Sequence, residues 1–214
     1  MSDLVTKYDR LAEKFAEREY ANLRFYMQRR FTIAATWGRA LEPGDSVLEL
    51  GCGDGYLAQL FVQNGLHYSG GDISRQMVTM AERRLQQAGL KADFTVIDVT
   101  QMSLSESFDA VVAYMRTFFT YVRDPLTVLK RLRPSIRKKI LLDLAPRRDM
   151  PLQAAIRVLE KAGFRNIAWR PFCVPQRKKL PVGLMKFLTI GENMPVFRKF
   201  LLHWKFVCVL KGEV

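Results

Sequence analysis

The stretch Ser46–Gly55, SVLELGCGDG, constrains the fold of this chain more than any other part of the sequence. Val47 to Leu50 form a short apolar run interrupted only by Glu49, which is typical of a buried strand in a parallel sheet. Three alternating glycines end the stretch, and a helical pattern starts at Tyr56. Glycines let a ligand approach the backbone closely, and a helix N-terminus offers free N–H donors. The stretch therefore predicts an α/β fold with a ligand site at this turn.

Two classes of adenosine-containing cofactor are bound by such a turn. The dinucleotide fingerprint G-x-G-x-x-G requires its third glycine where this chain has Tyr56. The pattern Glu49-x-Gly51-x-Gly53-x-Gly55 instead resembles the first motif of the class I (Rossmann-like) S-adenosylmethionine (SAM)-dependent methyltransferases, and of their small-molecule type.

Acidic residues end the next two predicted strands, His67–Asp72 and Phe94–Asp98. Asp72 lies about 20 residues after the first glycine, where a carboxylate can accept hydrogen bonds from both ribose hydroxyls. The resemblance implies that Asp98 lies where the family binds the adenine amino group, and that residues 107–113 form the fourth strand.

The resemblance implies that SAM is the cofactor and that turn and strand-tip residues bind it: Tyr8, Glu49, Gly51, Cys52, Gly53, Gly55, Tyr56, Asp72, Ile73, Asp98, Val99 and Tyr114. SAM brings an activated methyl group, so the protein mainly aligns the acceptor and excludes water. No general base is evident; the candidates near strand tips are Tyr114, Asp143 and Tyr121. The three cysteines have no metal-ligand spacing, so no metal is expected.

Alternating strand and helix patterns over residues 42–170 predict a doubly wound, mostly parallel sheet as the cofactor-binding core. The family resemblance implies seven strands, with an antiparallel last strand within 204–214. Residues 1–41 are predicted to form a helical segment. Its pattern Tyr8-Asp9-x-x-Ala12-x-x-Phe15 resembles a family segment that folds over the cofactor as a lid. The alternative is an amphipathic helix packed on the sheet, and in either case we expect a single domain over 1–214.

Residues 171–203 form a basic, apolar insert before the last strand. Its six Lys or Arg residues accompany one acid, Glu192, and large apolar residues lie between them. We expect one or two short helices, with three roles open: a roof over an apolar acceptor, contact with an anionic membrane, or ordinary packing. The roof would place four apolar side chains at the acceptor: Phe187, Leu188, Phe197 and Phe200.

The chain has 214 residues and a formal net charge of +13, which favours anionic partners or reflects a solvated basic surface. The leading hypothesis is a methyltransferase that acts on a small, apolar or lipid-like acceptor by in-line transfer. An RNA or protein methyltransferase and a non-catalytic SAM-binding protein are the alternatives. No RNA-stacking signature is present, so nucleic acid is not expected. The N-terminus has no apolar signal core and no stretch reaches about 18 apolar residues, which predicts a cytoplasmic protein, with peripheral membrane contact as an alternative.

Overall fold

The fold is that of a doubly wound α/β protein. A computed structural model of the protein describes residues 2–12, 15–114, 117–192, 194 and 207–214. Its seven strands form one sheet in the order β3-β2-β1-β4-β5-β7-β6: β1 Ser46–Leu50, β2 His67–Asp72, β3 Asp93–Val96, β4 Phe108–Ala113, β5 Ile136–Leu144, β6 Arg165–Phe172 and β7 Val207–Glu213. The first five strands pair in parallel, and β7 pairs antiparallel with both β5 and β6. The predicted fold class is confirmed.

Helices lie before the sheet, between its strands and after β6. They are α1 Ser2–Leu11, α2 Phe15–Glu19, α3 Leu23–Thr36, α4 Tyr56–Gln63, α5 Arg75–Gln87, α6 Thr117–Tyr121, α7 Pro125–Leu132, α8 Leu152–Lys161 and α9 Val182–Gly191, with a 3₁₀ turn at Arg133–Ser135. In the part of the chain that the structure describes, no helix is both long and apolar enough to cross a membrane.

The central strands are buried on both faces because side chains alternate along a strand. In β1, Val47 packs in one apolar cluster with residues of α3 and α4, such as Phe31 and Phe61. Leu48 and Leu50 point to the other face, where α7 and α8 cover the sheet. This two-sided burial explains the almost unbroken apolar run that the sequence shows before the glycine-rich turn.

Several boundaries differ from the sequence prediction. The strand β3 ends at Val96, because the Oδ1 atom of Asp98 accepts hydrogen bonds from the N–H and the hydroxyl of Thr100 and closes a turn. A short helix, α6, follows β4, and no sequence pattern predicted it. The strand β6 continues to Phe172, inside the predicted insert, and the N-terminal segment forms three helices. The last strand is described from Val207 onward, and residues 204–206 of its predicted range lie outside the described residues.

Candidate functional site

The glycine-rich turn connects β1 to α4 and ties the ends of β1 and β2 together. Gly53 has a φ of 55° and donates its N–H to Asp72 Oδ2 at 3.0 Å. Gly55 is the N-cap residue of α4, and its backbone has left-handed dihedral angles. A Cβ at this position would lie 2.8 Å from the Cα of Ala81 in α5. A larger residue at 55 would therefore push α4 away from α5, as well as strain the backbone.

Asp72 is oriented by two backbone donors at the end of β2. Its Oδ2 atom accepts from Gly53, and its Oδ1 atom accepts from the N–H of Ser74 at 2.9 Å. Burial raises the pKa of Asp72, and these hydrogen bonds oppose that rise. Each carboxylate oxygen can accept more than one hydrogen bond, so both retain capacity for a ligand.

A cavity of about 910 Å³ opens beside this carboxylate, at the carboxyl ends of the parallel strands. This is the edge at which doubly wound sheets bind ligands. Eight of the residues predicted to form the site line the cavity: Tyr8, Gly51, Gly53, Asp72, Ile73, Asp98, Val99 and Tyr121. The structure therefore brings together the turn, the tips of β2 and β3, α1 and α6.

Four other predicted residues, Glu49, Cys52, Tyr56 and Tyr114, line a separate void of about 10 Å³ next to the turn. Glu49 is 1% exposed and accepts a hydrogen bond of 2.6 Å from the hydroxyl of Tyr68. Burial raises the pKa of Glu49 to about 8. Phe15 contributes to the walls of both this void and the cavity.

The candidate base Asp143 does not line the cavity. It is fully buried and paired with the guanidinium of Arg30, which reaches it from α3. The guanidinium carbon lies 3.8 Å from the ring centroid of Phe172 and 4.7 Å from that of Tyr114. A buried carboxylate requires such a partner, so the ion pair accounts for Asp143 without any role in proton transfer.

The helix α1 lies across one side of the cavity. The hydroxyls of Tyr8 and Tyr121 are 2.9 Å apart, which joins α1 to α6. Asp9 Oδ1 accepts a hydrogen bond of 2.5 Å from the hydroxyl of Ser74, the residue that caps α5. Burial raises the pKa of Tyr8, with the Tyr121 hydroxyl adding to the shift, so the Tyr8 hydroxyl remains protonated at neutral pH.

The described part of the insert forms the opposite wall. Residues 173–178 line the cavity together with Leu180 and Leu188. The loop is held to the N-terminal helices, since Arg177 pairs with Glu19 at 2.7 Å and the Asn22 amide donates to the Lys178 carbonyl.

Glu192, the only acid of the predicted insert, connects the end of α9 to α3 and β6. It is fully buried and pairs with Arg29 and with Arg170, the latter at 3.3 Å. Its other oxygen accepts the N–H of Cys173 at 2.8 Å. The contacts join α3, β6 and α9 around one buried carboxylate.

The four apolar residues expected over the acceptor do not share one position. Leu188 lines the cavity, whereas its neighbour Phe187 points to a different face of α9 and is 68% exposed. Phe197 and Phe200 lie outside the described residues. A helix that contacts the cavity on one face necessarily turns its other face outward.

Sequence reasoning missed several cavity residues. Tyr20, Tyr26 and Phe172 add aromatic walls, and Thr120 and Arg148 lie on the rim beside Tyr121. The Oγ1 atom of Thr120 lies 3.1 Å from Asp149 Oδ1, which brings α6 next to the turn after β5. No local pattern marks these residues, because they come from four separate parts of the chain.

Comparison with known proteins agrees with this geometry. A family model described as a methyltransferase domain matches residues 47–139. A ubiquinone biosynthesis O-methyltransferase from Hahella chejuensis is 30% identical over 129 residues, which are 58% of this chain and 52% of that relative. A protein of the same name from Pseudomonas aeruginosa is 25% identical over 128 residues, or 59% of this chain and 54% of the relative. The chain thus spans about half the length of these relatives.

Two solved structures share the fold. The magnesium protoporphyrin IX methyltransferase from Synechocystis with bound SAM has a TM-score of 0.64 and 21% identity, over 90% of this chain and 81% of that one. The cyclase SpnF has a TM-score of 0.70 and 17% identity, over 98% and 95% of the two chains.

The strand order, the glycine-rich turn and the matched family model together define the class. This chain has the class I, SAM-dependent methyltransferase fold, and residues 47–139 match a family model described as a methyltransferase domain. The resemblance predicted from the turn and from the spacing of Asp72 is therefore confirmed.

Proposed function

We propose that this chain is a SAM-dependent methyltransferase that acts on a small, apolar acceptor by in-line methyl transfer. The observation that supports it best is the Asp72 carboxylate, held by two backbone N–H groups while lining the cavity. A preoriented acceptor of this kind suits the paired hydroxyls of a ribose.

The residues present fit the cofactor. Gly51, Gly53 and Gly71 line the cavity without a side chain, so the backbone there is open to a ligand. Ile73, Ile97 and Val99 would flank the adenine ring, with Asp98 near its amino group. The cavity volume lies at the upper end of the about 300–1,000 Å³ typical of small-molecule sites.

When bound, SAM supplies an electrophilic methyl group on its sulfonium. The chain's own contribution is to orient the acceptor and exclude water. In this proposal α1 excludes water, and the Tyr8–Tyr121 hydroxyl pair offers a hydrogen bond at the edge of the cavity. Because burial raises the pKa of Tyr8, its hydroxyl acts as a donor rather than as a base.

The acceptor is proposed from the cavity walls and from the relatives. Val122, Val174 and Leu188 give part of the cavity wall an apolar surface, and Lys7 and Arg148 add cationic groups. These residues favour an apolar molecule with an anionic substituent. The relatives named O-methyltransferases support an oxygen acceptor atom. Peripheral contact with a membrane through residues 171–203 is a further part of the proposal.

A binding protein or an enzyme of another reaction remains the second candidate, because the cyclase SpnF has this fold. Release of S-adenosylhomocysteine (SAH) from SAM, measured with hydroxylated aromatic acceptors, separates the two. Acceptor-dependent SAH release that is lost in Asp72→Ala supports the methyltransferase. Tight SAM binding without turnover on any acceptor supports the second candidate.

An RNA methyltransferase would behave differently. Phosphate contacts make binding fall steeply with salt concentration. RNA binding with such a slope, together with methyl transfer to RNA, would contradict the small-molecule proposal.

A further inference from the structure

We infer that the outer face of α9 docks on an anionic membrane surface. Of the large apolar side chains that are exposed in the described residues, five of seven lie within residues 182–194. They are Val182, Leu184, Phe187, Ile190 and Met194. Leu184, Phe187 and Ile190 define what we call the α9 face, Val182 lies in the first turn of the helix, and Met194 follows its end. Phe187 and Ile190 are the most exposed, at 68% and 65%.

The α9 face is a continuous stripe rather than scattered residues. Leu184, Phe187 and Ile190 recur every three residues, so they share one side of the helix. Met185, which is 1% exposed, lies on the other side, and Leu188, which lines the cavity, lies at the border between the two. The apolar faces of a helix are usually buried against other elements. The described residues do not cover the α9 face, so its apolar side chains are exposed to solvent.

Charge identifies the partner of the α9 face. Lys186 is exposed one turn before Ile190 on α9, and Lys178 and Lys179 are exposed in the loop that precedes the helix. The one acid between residues 171 and 192 is Glu192, which is buried against Arg29 and Arg170. An apolar stripe flanked by lysines is the pattern of a helix that lies in the interface of an anionic bilayer. A second copy of a chain with a net charge of +13 would instead bring like charges together.

The α9 face also adjoins the cavity. Lys178, Leu180 and Leu188 belong to the same segment and line the cavity wall. If the proposed function is correct, docking would place the cavity beside the lipid, from which an apolar acceptor could enter. The docking itself does not depend on methyl transfer.

Vesicle co-sedimentation with the full chain tests the inference. The probes are vesicles of phosphatidylcholine alone and vesicles in which about a quarter of the lipid is phosphatidylglycerol. We expect binding to the anionic vesicles only. Each lysine near an anionic surface contributes about fivefold, so Lys179→Glu with Lys186→Glu should weaken binding at least about twentyfold. Phe187→Gln with Ile190→Gln should weaken it at least about tenfold, and should do so at high salt as well.

Matched controls make each result specific. Val96→Gln changes another exposed apolar residue, on the edge strand β3, and Lys161→Glu with Lys91→Glu makes the same charge change away from α9. Both controls should bind vesicles like the wild type. SAH binding should be unchanged in every variant, which separates a failure of docking from a failure of the proposed function.

Three results would overturn the inference. They are no binding to anionic vesicles, equal binding to both kinds of vesicle, and binding that the Phe187→Gln, Ile190→Gln variant retains. A concentration-dependent dimer that this variant abolishes, without vesicle binding, would show that a second copy covers the α9 face instead.

Discussion

At the scale of single residues, the Asp72 carboxylate is the most important group of the proposed SAM site. Asp72→Ala removes an acceptor for two ribose hydroxyls, and hydrogen bonds to charged groups contribute about 1.5–3 kcal/mol each before non-additivity. We expect SAH affinity to fall at least about tenfold, measured by calorimetry. Asp93→Ala, at the exposed start of β3, is the matched control and should bind SAH normally.

The Asp72 substitution also leaves the N–H groups of Gly53 and Ser74 without their partner, so its melting temperature should fall. Binding is therefore compared only if the variant unfolds cooperatively. Unchanged SAH affinity in a folded Asp72→Ala protein would show that the ribose is held elsewhere.

Glu49 predicts a specific dependence of stability on pH. Burial raises the pKa of Glu49 from 4.5 to about 8, so the folded state binds more protons than the unfolded state between these values. The free energy of unfolding contributed by this group is therefore greatest below pH 4.5 and decreases as the pH rises to about 8. Glu49→Gln keeps an acceptor for the Tyr68 hydroxyl and removes the titration.

Urea unfolding at several pH values checks this prediction. The stability of Glu49→Gln relative to the wild type should increase between pH 4.5 and about pH 8. Glu82→Gln, at an exposed position of α5, should show no such trend. A constant difference between Glu49→Gln and the wild type would contradict the raised pKa.

The comparison of Asp72 with Asp143 shows what the sequence can predict at this scale. The position of Asp72 follows from local rules, because a strand, a turn and a helix set the distance from the glycines to the next strand tip. The role of Asp143 as a buried ion-pair partner depends on Arg30, which lies 113 residues earlier in the chain. Proximity to a strand tip does not reveal such a partner.

At the scale of elements, the contact between α1 and α6 determines how the cavity is covered. Tyr8→Phe and Tyr121→Phe each remove the same hydroxyl pair. A partly exposed hydrogen bond contributes about 1 kcal/mol, so each variant should speed SAH dissociation by about two- to fivefold. Stopped-flow displacement of SAH measures this rate.

The double variant provides the test of coupling. Because both substitutions break one interaction, Tyr8→Phe with Tyr121→Phe should be no faster than either single variant. Additive effects would show that the two hydroxyls act separately and that α1 is not held by this contact.

Elements with strong local signals were predictable, and those that depend on distant contacts were not. The strands β1 and β2 and the start of α4 follow from apolar patterns and the glycine-rich turn, and β4 follows from the family resemblance. The five-residue helix α6 is too short for periodicity to reveal. For α9, the sequence predicts a helix but does not assign its faces, since both are apolar.

At the scale of the whole molecule, Glu192 joins the insert to the domain. Removing one partner of a buried ion pair typically costs about 3–5 kcal/mol, because the remaining charges lose their compensation. Glu192→Gln should lower the free energy of unfolding by about 3 kcal/mol, measured by urea denaturation, with Glu160→Gln on the exposed side of α8 as control. Equal stability of the two variants would show that the insert is held by other contacts.

Calorimetric titration with SAH shows whether the cavity at the carboxyl edge of the sheet binds the SAM skeleton. We expect one saturable site with a dissociation constant of about micromolar order in the wild type, weakened in Asp72→Ala and not in Asp93→Ala, and no heat with NAD. The absence of heat with SAH, together with saturable binding of NAD, would show that the cavity is not a SAM site.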